Sequence, residues 1–212
     1  FDEVLAAFAR GEAHVLVGTQ MVAKGLDVAN VTLVGVVNAD SSFYLPEYKA
    51  FERGFQLLTQ VAGRAGRGEK PGEVVLQTFD PNHPVIQYAR AQDYPGFYQY
   101  DLLCRQNNGF PPYCQLFRFM VTGEDEERVR FFVRAAAISL RARLQDKGFS
   151  ATEVQTVGPA PCLISKLQDR YRYHFVVKNF AHQREGNPAH GTVVDFYTAT
   201  PVPEDLHFLL DV

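Results

Sequence analysis

The residues with the clearest chemical potential are two arginines at one end of a predicted helix. Residues 60–67 have the sequence QVAGRAGR, which places Arg64 and Arg67 three residues apart. This spacing puts both guanidinium groups on nearby faces, and the intervening glycines let a partner approach the backbone. Arginine can stabilise the charge on a phosphoryl group during its transfer. The segment therefore predicts a nucleotide-phosphate site, although cations that stabilise a helix dipole would give the same pattern.

A second candidate segment follows a predicted strand. Residues 18–27 have the sequence GTQMVAKGLD, and residues 13–19 form a short apolar run typical of a buried strand. A strand that ends in Gly18, Thr19 and Gln20 presents backbone N–H groups and a hydroxyl at the carboxyl edge of a sheet, where ligands of α/β folds bind. Nucleic-acid phosphates are suitable targets for these donors. An ordinary strand-to-helix turn would also explain this segment.

These segments lie within a predicted α/β arrangement. Helical periodicity is expected over residues 1–8, up to Gly11, and again from Pro46 towards Gly66. Strands are expected at 13–19, 31–40 and 72–79, and the unbroken apolar run in 31–40 favours a parallel sheet covered on both faces. The chain opens inside a helical pattern without an initiating methionine. We therefore expect it to be a piece of a longer protein.

The pattern changes after a stiff boundary at residues 109–112. Before it, residues 84–107 are predicted to be helical in two pieces broken at Pro95-Gly96. Beyond it an α+β pattern begins with a strand at 115–121 and a long helix at 124–144. Further strands are expected near 152–157, 161–167, 170–178, 193–198 and 206–212, with a flexible loop at 181–191. The predicted domains are therefore 1–108 and 109–212.

Composition excludes several classes of protein. The chain has 212 residues, of which 46% are hydrophobic and 21% charged, as in soluble globular proteins. Its apolar runs fall short of the roughly 20 residues that span a bilayer, so we expect a cytoplasmic protein without a membrane partner. Cys104, Cys114 and Cys162 form no close pairs, and the six histidines show no metal-ligand spacing. We therefore predict no metal site in this chain.

Basic residues cluster late in a chain whose net charge is −3. Lys166, Arg170, Arg172 and Lys178 surround a single acid, Asp169. On a strand, Arg170 and Arg172 would share one face, and Tyr173 would lie on the other. Such cations could bind phosphate, and a tyrosine near the sheet edge could stack on an unpaired base. A half-buried strand with a solvated basic face is the alternative.

Together, the two candidate segments resemble motifs V and VI of superfamily 2 helicases. Other segments resemble one family within that group, the primosomal protein N′ (PriA) family of replication-restart helicases. The resemblance is carried by residues 31–36 (VTLVGV), 55–59 (FQLLT), 67–74 (RGEKPGEV), 109–113 (GFPPY), 157–161 (VGPAP) and 170–173 (RYRY). It implies a RecA-like second helicase lobe, with a parallel sheet and flanking helices, followed by a smaller α+β domain.

The resemblance also implies roles for individual residues. Arg64 and Arg67 would contact the γ-phosphate of ATP, with support from Gln60 and Gly63. Gly25 and Asp27 would couple the nucleotide site to the DNA site. Thr19 and Gln20 would contact the DNA backbone, and the family's C-terminal domain, which binds branched DNA and partner proteins, would use the basic residues of the late cluster together with Tyr173.

The activity implied by the resemblance is ATP-dependent 3′-to-5′ DNA unwinding that restarts replication at stalled or branched forks by loading the primosome. ATP and Mg²⁺ would be shared with another lobe, because this sequence has no phosphate loop. We therefore expect the chain to be inactive alone. Zinc is expected in the family, but its ligands are not in this chain. Implied partners are single-stranded and fork DNA, primosome proteins, a replicative helicase loader and single-stranded-DNA-binding protein, in the bacterial nucleoid.

The alternative function is that of a non-catalytic module that binds branched DNA and helps to assemble the primosome. The basic strand and the missing phosphate loop favour this interpretation. Under it, the helicase-like segments would serve the fold alone.

Overall fold

The computed structural model describes residues 2–19, 31–63, 65 and 72–212. Arg64, Arg67, Gln20, Gly25 and Asp27 lie outside this part. Within the chain, contacts define two compact units, Phe1–Leu103 and Cys104–Val212. We refer to them as unit 1 and unit 2. The boundary between the units lies inside a helix, whereas the sequence analysis placed a domain boundary after residue 108.

Unit 1 alternates helices with short strands, as the sequence predicts. Strands β1 and β2 pair in parallel, with Leu33 opposite Glu73 and Val36 opposite Leu76. Gly11 follows the first helix in a left-handed conformation, with a φ of 79°. In order, the elements are α1 (Asp2–Ala9), β1 (Leu33–Val36), a 3₁₀ turn (Asp40–Ser42), α2 (Ala50–Ala62), β2 (Glu73–Leu76), α3 (Pro84–Ala91) and α4 (Tyr94–Asn108).

Two expectations for the sheet of unit 1 are wrong. Residues 13–19 form no strand, and Val17 is 88% exposed. A strand needs a hydrogen-bonding neighbour, and within the described residues β1 and β2 pair just with each other. β1 is also not covered on both faces, because its residues alternate between exposed and half-buried.

Aromatic side chains form the core of unit 1. Phe55 of α2 stacks on Phe97 of α4, with 4.1 Å between ring centroids. Phe43 is almost completely buried beside α2. A Cβ atom at Gly54 would lie 3.0 Å from Cβ of Phe43, so glycine lets the helix approach this ring closely. The core thereby fixes α2, the helix that leads to the predicted arginine site.

The break between α3 and α4 comes earlier than predicted. It lies at Gln92, whose φ of 52° is left-handed and ends α3. Pro95 and Gly96 lie in the first turn of α4 instead, where a proline has no intrahelical hydrogen bond to lose. Asp93 accepts a hydrogen bond from the Gly96 N–H at 2.9 Å and so helps this helix to begin.

Unit 2 is an antiparallel sheet with helices, which confirms the α+β prediction. The strand order is β4-β5-β3-β6, so that β3 and β5 are central. Asp125 accepts hydrogen bonds from the N–H groups of Glu127 and Arg128 and caps the long helix α5. The elements are β3 (Gln115–Gly123), α5 (Glu126–Asp146), β4 (Val154–Leu167), β5 (Arg170–Asn179), α6 (Pro188–Ala199) and β6 (Leu206–Asp211).

The predicted strand at 193–198 is wrong, because these residues belong to helix α6. Asn187 caps that helix by accepting a hydrogen bond from the His190 N–H, and Pro188 occupies its first turn. Val193 and Phe196 are buried three residues apart, as helical packing requires. The helix also takes in the last part of the predicted flexible loop at 181–191.

Strand β4 replaces the two separate strands predicted near 152–157 and 161–167. Its pairing with β5 shifts register between Val157 and Ala160 and again between Pro161 and Lys166. Gly158 has a φ of 97° at the first shift. Bulges of this kind accommodate prolines and extra residues in an edge strand without ending it.

The core of unit 2 is built around one phenylalanine of the central strand. Phe119 of β3 is fully buried and stacks on Phe175 of β5 at 4.6 Å. Phe208 of β6 lies 5.5 Å away, also stacked. Val133 and Leu140 of α5 belong to the same cluster. Three strands and a helix therefore meet at this ring.

A network of amide side chains holds one end of this sheet. Asn179 is fully buried, and its Nδ2 donates to Oδ1 of Asn187 at 2.9 Å. Its Oδ1 accepts from the Ala181 N–H at 3.0 Å. Asn187 Nδ2 donates to Oε1 of Gln115, and Gln115 Nε2 lies 2.8 Å from Nδ1 of His190. Strand ends, turn and helix start are thus joined by hydrogen bonds.

Candidate nucleotide and nucleic-acid sites

Helix α2 leads directly to the predicted nucleotide site. Its amphipathic pattern buries Phe55, Leu58 and Val61 and leaves Gln60 exposed near the helix end. Gly63 ends the helix, and its N–H donates to the carbonyl of Thr59 at 3.0 Å. The structure therefore fixes the direction of the segment that precedes Arg64, and the two arginines themselves lie outside the described residues.

The predicted DNA-contacting segment is described at one position. Thr19 is exposed. Gln20, Gly25 and Asp27 lie beyond the described part of the chain. The roles predicted for this segment remain predictions.

An aspartate that the sequence analysis did not single out organises the carboxyl ends of β1 and β2. Asp40 is buried, and its Oδ1 accepts the Thr78 hydroxyl at 2.9 Å. Its Oδ2 accepts the Phe79 N–H at 3.1 Å. Asp40 follows β1 and Thr78 follows β2, so one carboxylate joins the two strand ends. An acid directly after an apolar strand was the available sequence signal.

His83 lies beside this edge and caps helix α3. Its Nδ1 accepts a hydrogen bond from the Val85 N–H at 3.3 Å, and its ring stacks on Phe43 at 4.6 Å. Burial lowers the pKa of His83, while Asp80 and Asp40 partly oppose this shift. The neutral imidazole is therefore the form that fits the fold, because a protonated Nδ1 cannot accept the capping bond.

We expect this histidine to make unit 1 less stable in mild acid. A lowered pKa means that the unfolded chain binds a proton more readily, so stability falls as the pH drops below about 6.5. His83→Asn keeps an N-cap acceptor but cannot titrate, and should flatten the pH dependence of the melting temperature measured by circular dichroism. His14→Asn, at an exposed histidine, is the control. An unchanged pH slope in His83→Asn would contradict this role.

The arginines of β5 are held by groups within unit 2. Arg170 Nη2 lies 3.2 Å from the Asp205 carbonyl and 3.4 Å from that of Thr122. Its Nε is buried without a hydrogen-bond partner among the described residues. Arg172 Nη2 lies 3.5 Å from Sδ of Met120. Both are half-buried on the face opposite the phenylalanine core, as the alternation predicts.

The remaining residues of the late cluster differ in exposure and in bonding partners. Lys166 is exposed, 3.4 Å from Asp169, and lies over the ring of Tyr171. Lys178 donates to the carbonyl of Asn108 at 2.8 Å and lies over Phe110. The Tyr173 hydroxyl donates to Oε1 of Glu126 at 2.6 Å, and this hydrogen bond raises the pKa of Tyr173. Tyr173 packs against the core, so its ring is engaged within the fold.

A cationic cleft of about 480 Å³ lies between the end of α5 and the start of α6. Arg143, Lys147 and Arg184 contribute cations to it, and Asp195 contributes an acid. Arg184 also forms an ion pair with Glu153. No local sequence pattern indicates this cleft, because its residues come from three separate segments.

The described part of the chain contains neither a metal-binding cluster nor a membrane-spanning helix. Its residues contain no group of three or more His, Cys, Asp or Glu side chains placed to hold a metal ion. A zinc site therefore has no fitting donor set there. In the same residues, every helix is too short or too polar to cross a bilayer.

Two family descriptions match the chain, one over each of the candidate regions. The helicase conserved C-terminal domain matches residues 2–69, and the primosomal protein N C-terminal domain matches residues 106–195. The chain is 42% identical to the replication restart protein PriA of Bacillus subtilis over 177 residues, which are 84% of this chain and 21% of the relative. It is 46% identical to PriA of Synechocystis over 175 residues, or 82% of this chain and 20% of the relative.

Over most of its length the chain is therefore similar to PriA proteins. PriA of Haemophilus influenzae is a further relative, 38% identical over 170 residues, or 80% of this chain and 22% of the relative. The chain spans about a fifth of the length of these PriA proteins. Residues 18–27 and 60–67, the two candidate segments, fall inside the helicase match. Strand β5 falls inside the primosomal match.

Proposed function

We propose that this chain supplies one lobe of the motor of an ATP-dependent 3′-to-5′ DNA helicase that restarts replication at stalled or branched forks by loading the primosome. The observation that carries this proposal is the helicase match over residues 2–69 in a chain whose relatives are named replication restart protein. The other lobe would supply the phosphate loop. This chain alone is then inactive as an ATPase.

In this proposal the end of helix α2 faces the transferred phosphate. Arg64 and Arg67 stabilise the negative charge that develops on the γ-phosphoryl oxygens, because a guanidinium presents paired N–H donors at a fixed spacing. Gln60, exposed on the last turn of α2, supports them, and Gly63 leaves room at the helix end. Mg²⁺ would be held by the other lobe and would supply positive charge that offsets the charge of the phosphates.

The DNA path in this proposal uses the segment after residue 18. Thr19 and Gln20 donate hydrogen bonds to backbone phosphates, which carry no sequence information. Gly25 and Asp27 link this contact to the nucleotide site, so that hydrolysis is coupled to movement. The nucleoid of the bacterial cytoplasm is the corresponding location.

The direction of unwinding tests the proposal. The complete two-lobe protein is mixed with ATP and duplexes that carry a single-stranded tail ending either 3′ or 5′. We expect displacement of the partner strand from the 3′-tailed duplex and at least about tenfold less from the 5′-tailed one. Strand displacement without ATP, or equal displacement from both, would contradict the proposal.

Unit 2 is proposed to bind branched DNA and primosome partners, among them a replicative helicase loader and single-stranded-DNA-binding protein. The cations of β5 and Lys166 offer phosphate contacts, and the cleft lined by Arg143, Lys147 and Arg184 suits an acidic partner. Tyr173 contributes least to this proposal, because its hydroxyl is bonded to Glu126 and its ring packs against the core.

A charge reversal on β5 measures that contribution. Arg170→Glu combined with Arg172→Glu should weaken binding to forked DNA by about tenfold or more at low salt and reduce the dependence of affinity on salt concentration. Fluorescence anisotropy across a salt series measures both quantities. Because Arg170 is bonded within the fold, circular dichroism must show that the variant remains folded. Arg130→Glu on α5 is the control, since that arginine pairs locally with Glu127. Unchanged affinity and salt slope would remove β5 from the interface.

The second candidate function is a non-catalytic module for branched-DNA binding and primosome assembly. It is favoured by the cationic cleft of unit 2 and by the basic residues on one face of strand β5. Under this alternative, substitution of Arg64 or Arg67 leaves fork restart unchanged while substitution of the unit 2 cations abolishes it. Reconstituted restart assays with both sets of variants separate the two functions.

A further inference from the structure

Two aromatic side chains that follow the strands of unit 1 are exposed. Phe79 is 90% exposed and Tyr44 is 60% exposed. Leaving a phenylalanine in water forgoes the free energy of burying its apolar surface. A pair of such rings that is not used by the core therefore points to contact with a ligand.

Buried Asp40 holds both residues in place. The Tyr44 N–H donates to the backbone carbonyl of Asp40 at 3.1 Å. The Phe79 N–H donates to the Oδ2 atom of the same residue, also at 3.1 Å. Tyr44 is further supported by ring contacts with Phe43 at 5.2 Å and His83 at 5.7 Å. The backbone of both aromatic residues is thus ordered before any ligand arrives.

Their place in the fold is one where α/β sheets bind ligands. Tyr44 follows β1 through the short 3₁₀ turn, and Phe79 follows β2 by three residues. Because β1 and β2 are parallel, both residues lie at the carboxyl edge of the sheet. The two rings are therefore available to one elongated ligand at this edge.

We propose that Tyr44 and Phe79 stack on unpaired bases of single-stranded DNA, an inference that rests on the proposed helicase function. Aromatic faces accept any base, as a motor that moves along DNA requires. Acidic residues outnumber basic ones, 12 to 8, in residues 1–104, and Glu47 and Asp80 lie close in sequence to the two rings. Because this charge repels phosphates, the contact proposed here is to the base faces alone, and the phosphate contacts stay with Thr19 and Gln20 of the proposed DNA path.

The test compares two ligands on the complete two-lobe protein. Phe79→Ala and Tyr44→Ala are each expected to weaken binding to a labelled oligothymidylate by about 5- to 100-fold, the range found when a stacking residue is removed. Binding to an abasic oligonucleotide of equal length, which has phosphates but no bases, should stay unchanged. Phe79→Tyr should retain binding. Phe131→Ala is the matched control, because Phe131 is 77% exposed on α5 of unit 2.

Three results would overturn the inference. Unchanged affinity for oligothymidylate in both variants would exclude stacking. An equal loss on the abasic oligonucleotide would indicate a phosphate contact or a general defect. A lower melting temperature, or slower ATP hydrolysis without DNA, would show instead that the rings dock against protein. The helicase proposal fails separately, if the unsubstituted protein hydrolyses no ATP or if Arg64→Ala leaves hydrolysis unchanged.

Discussion

Replacing Arg64 by alanine in the complete two-lobe protein is expected to slow ATP hydrolysis by about a thousandfold or more, and Arg67→Ala should have an effect of similar size. Removal of an arginine that stabilises a transferred phosphoryl group costs about 10³ to 10⁵ in rate. Because the stabilisation acts on charge that develops during transfer, kcat should fall much further than KM rises. Steady-state phosphate release with and without single-stranded DNA gives both constants.

A lysine variant sharpens this prediction. Arg64→Lys keeps the positive charge but loses the paired donors, so it should recover a small part of the lost rate. Arg10→Ala is the matched control in unit 1, because Arg10 is exposed and bonded to Glu12 at 2.6 Å. If both arginine-to-alanine variants at the predicted site hydrolyse ATP at the unsubstituted rate, these residues are not part of the nucleotide site.

Phe119→Ala should be the most destabilising substitution in unit 2. The ring is fully buried and stacked between Phe175 and Phe208, so its removal leaves a cavity among groups from three strands. Truncations of this kind cost about 3–5 kcal/mol. A domain of this size is stable by about 5–15 kcal/mol, so the variant should unfold at much lower urea concentration.

A control from the same residue type makes the result specific. Phe131→Ala removes a ring that is mostly in solvent and should change the free energy of unfolding by less than about 0.5 kcal/mol. Urea denaturation followed by circular dichroism measures both variants. Similar midpoints for the two would contradict the assignment of Phe119 to the centre of the core.

Local patterns predicted the parts of the fold that local interactions determine. Helix α5 begins after a capping aspartate with acids in its first turn, and its apolar residues recur at helical spacing. Strand β5 alternates as its sequence indicates, with Phe175 inward and Arg172 on the opposite face. In each case the pattern of neighbouring residues in the chain is enough to predict the element.

The wrong predictions concern elements that depend on distant residues. Residues 13–19 are apolar enough for a strand but have no strand partner in the described part of the chain. Residues 193–198 are rich in residues that favour strands, yet the cap at Asn187 and the packing of Val193 make them helical. Here packing overrode intrinsic preference, and the Asn-Pro pair at the helix start was the sequence signal available.

The candidate sites also divide into features that local sequence indicates and features that depend on distant residues. Motif spacing in the sequence indicated Arg64 and Arg67 without any structure. In contrast, the bonds that Asp40 makes to Thr78 and Phe79 join residues 38 and 39 positions apart. The cleft of unit 2 likewise combines Arg143 with Arg184. Such groupings depend on tertiary folding, so a local pattern can indicate a single member, such as Asp40, but not its distant partners.

The amide network around Asn179 also protects unit 2 against mispaired sheets. Gln115 and Asn179 lie opposite each other at one end of the β3–β5 pair. If β5 slid by one residue, its arginines would turn towards the phenylalanines, and the Asn179 amide would lose its bonding partners. Both faults raise the free energy of the same wrong alignment. The arginines at one end of β5 and Asn179 at the other therefore both disfavour a shifted register, so the native pairing of β5 with β3 is favoured during folding.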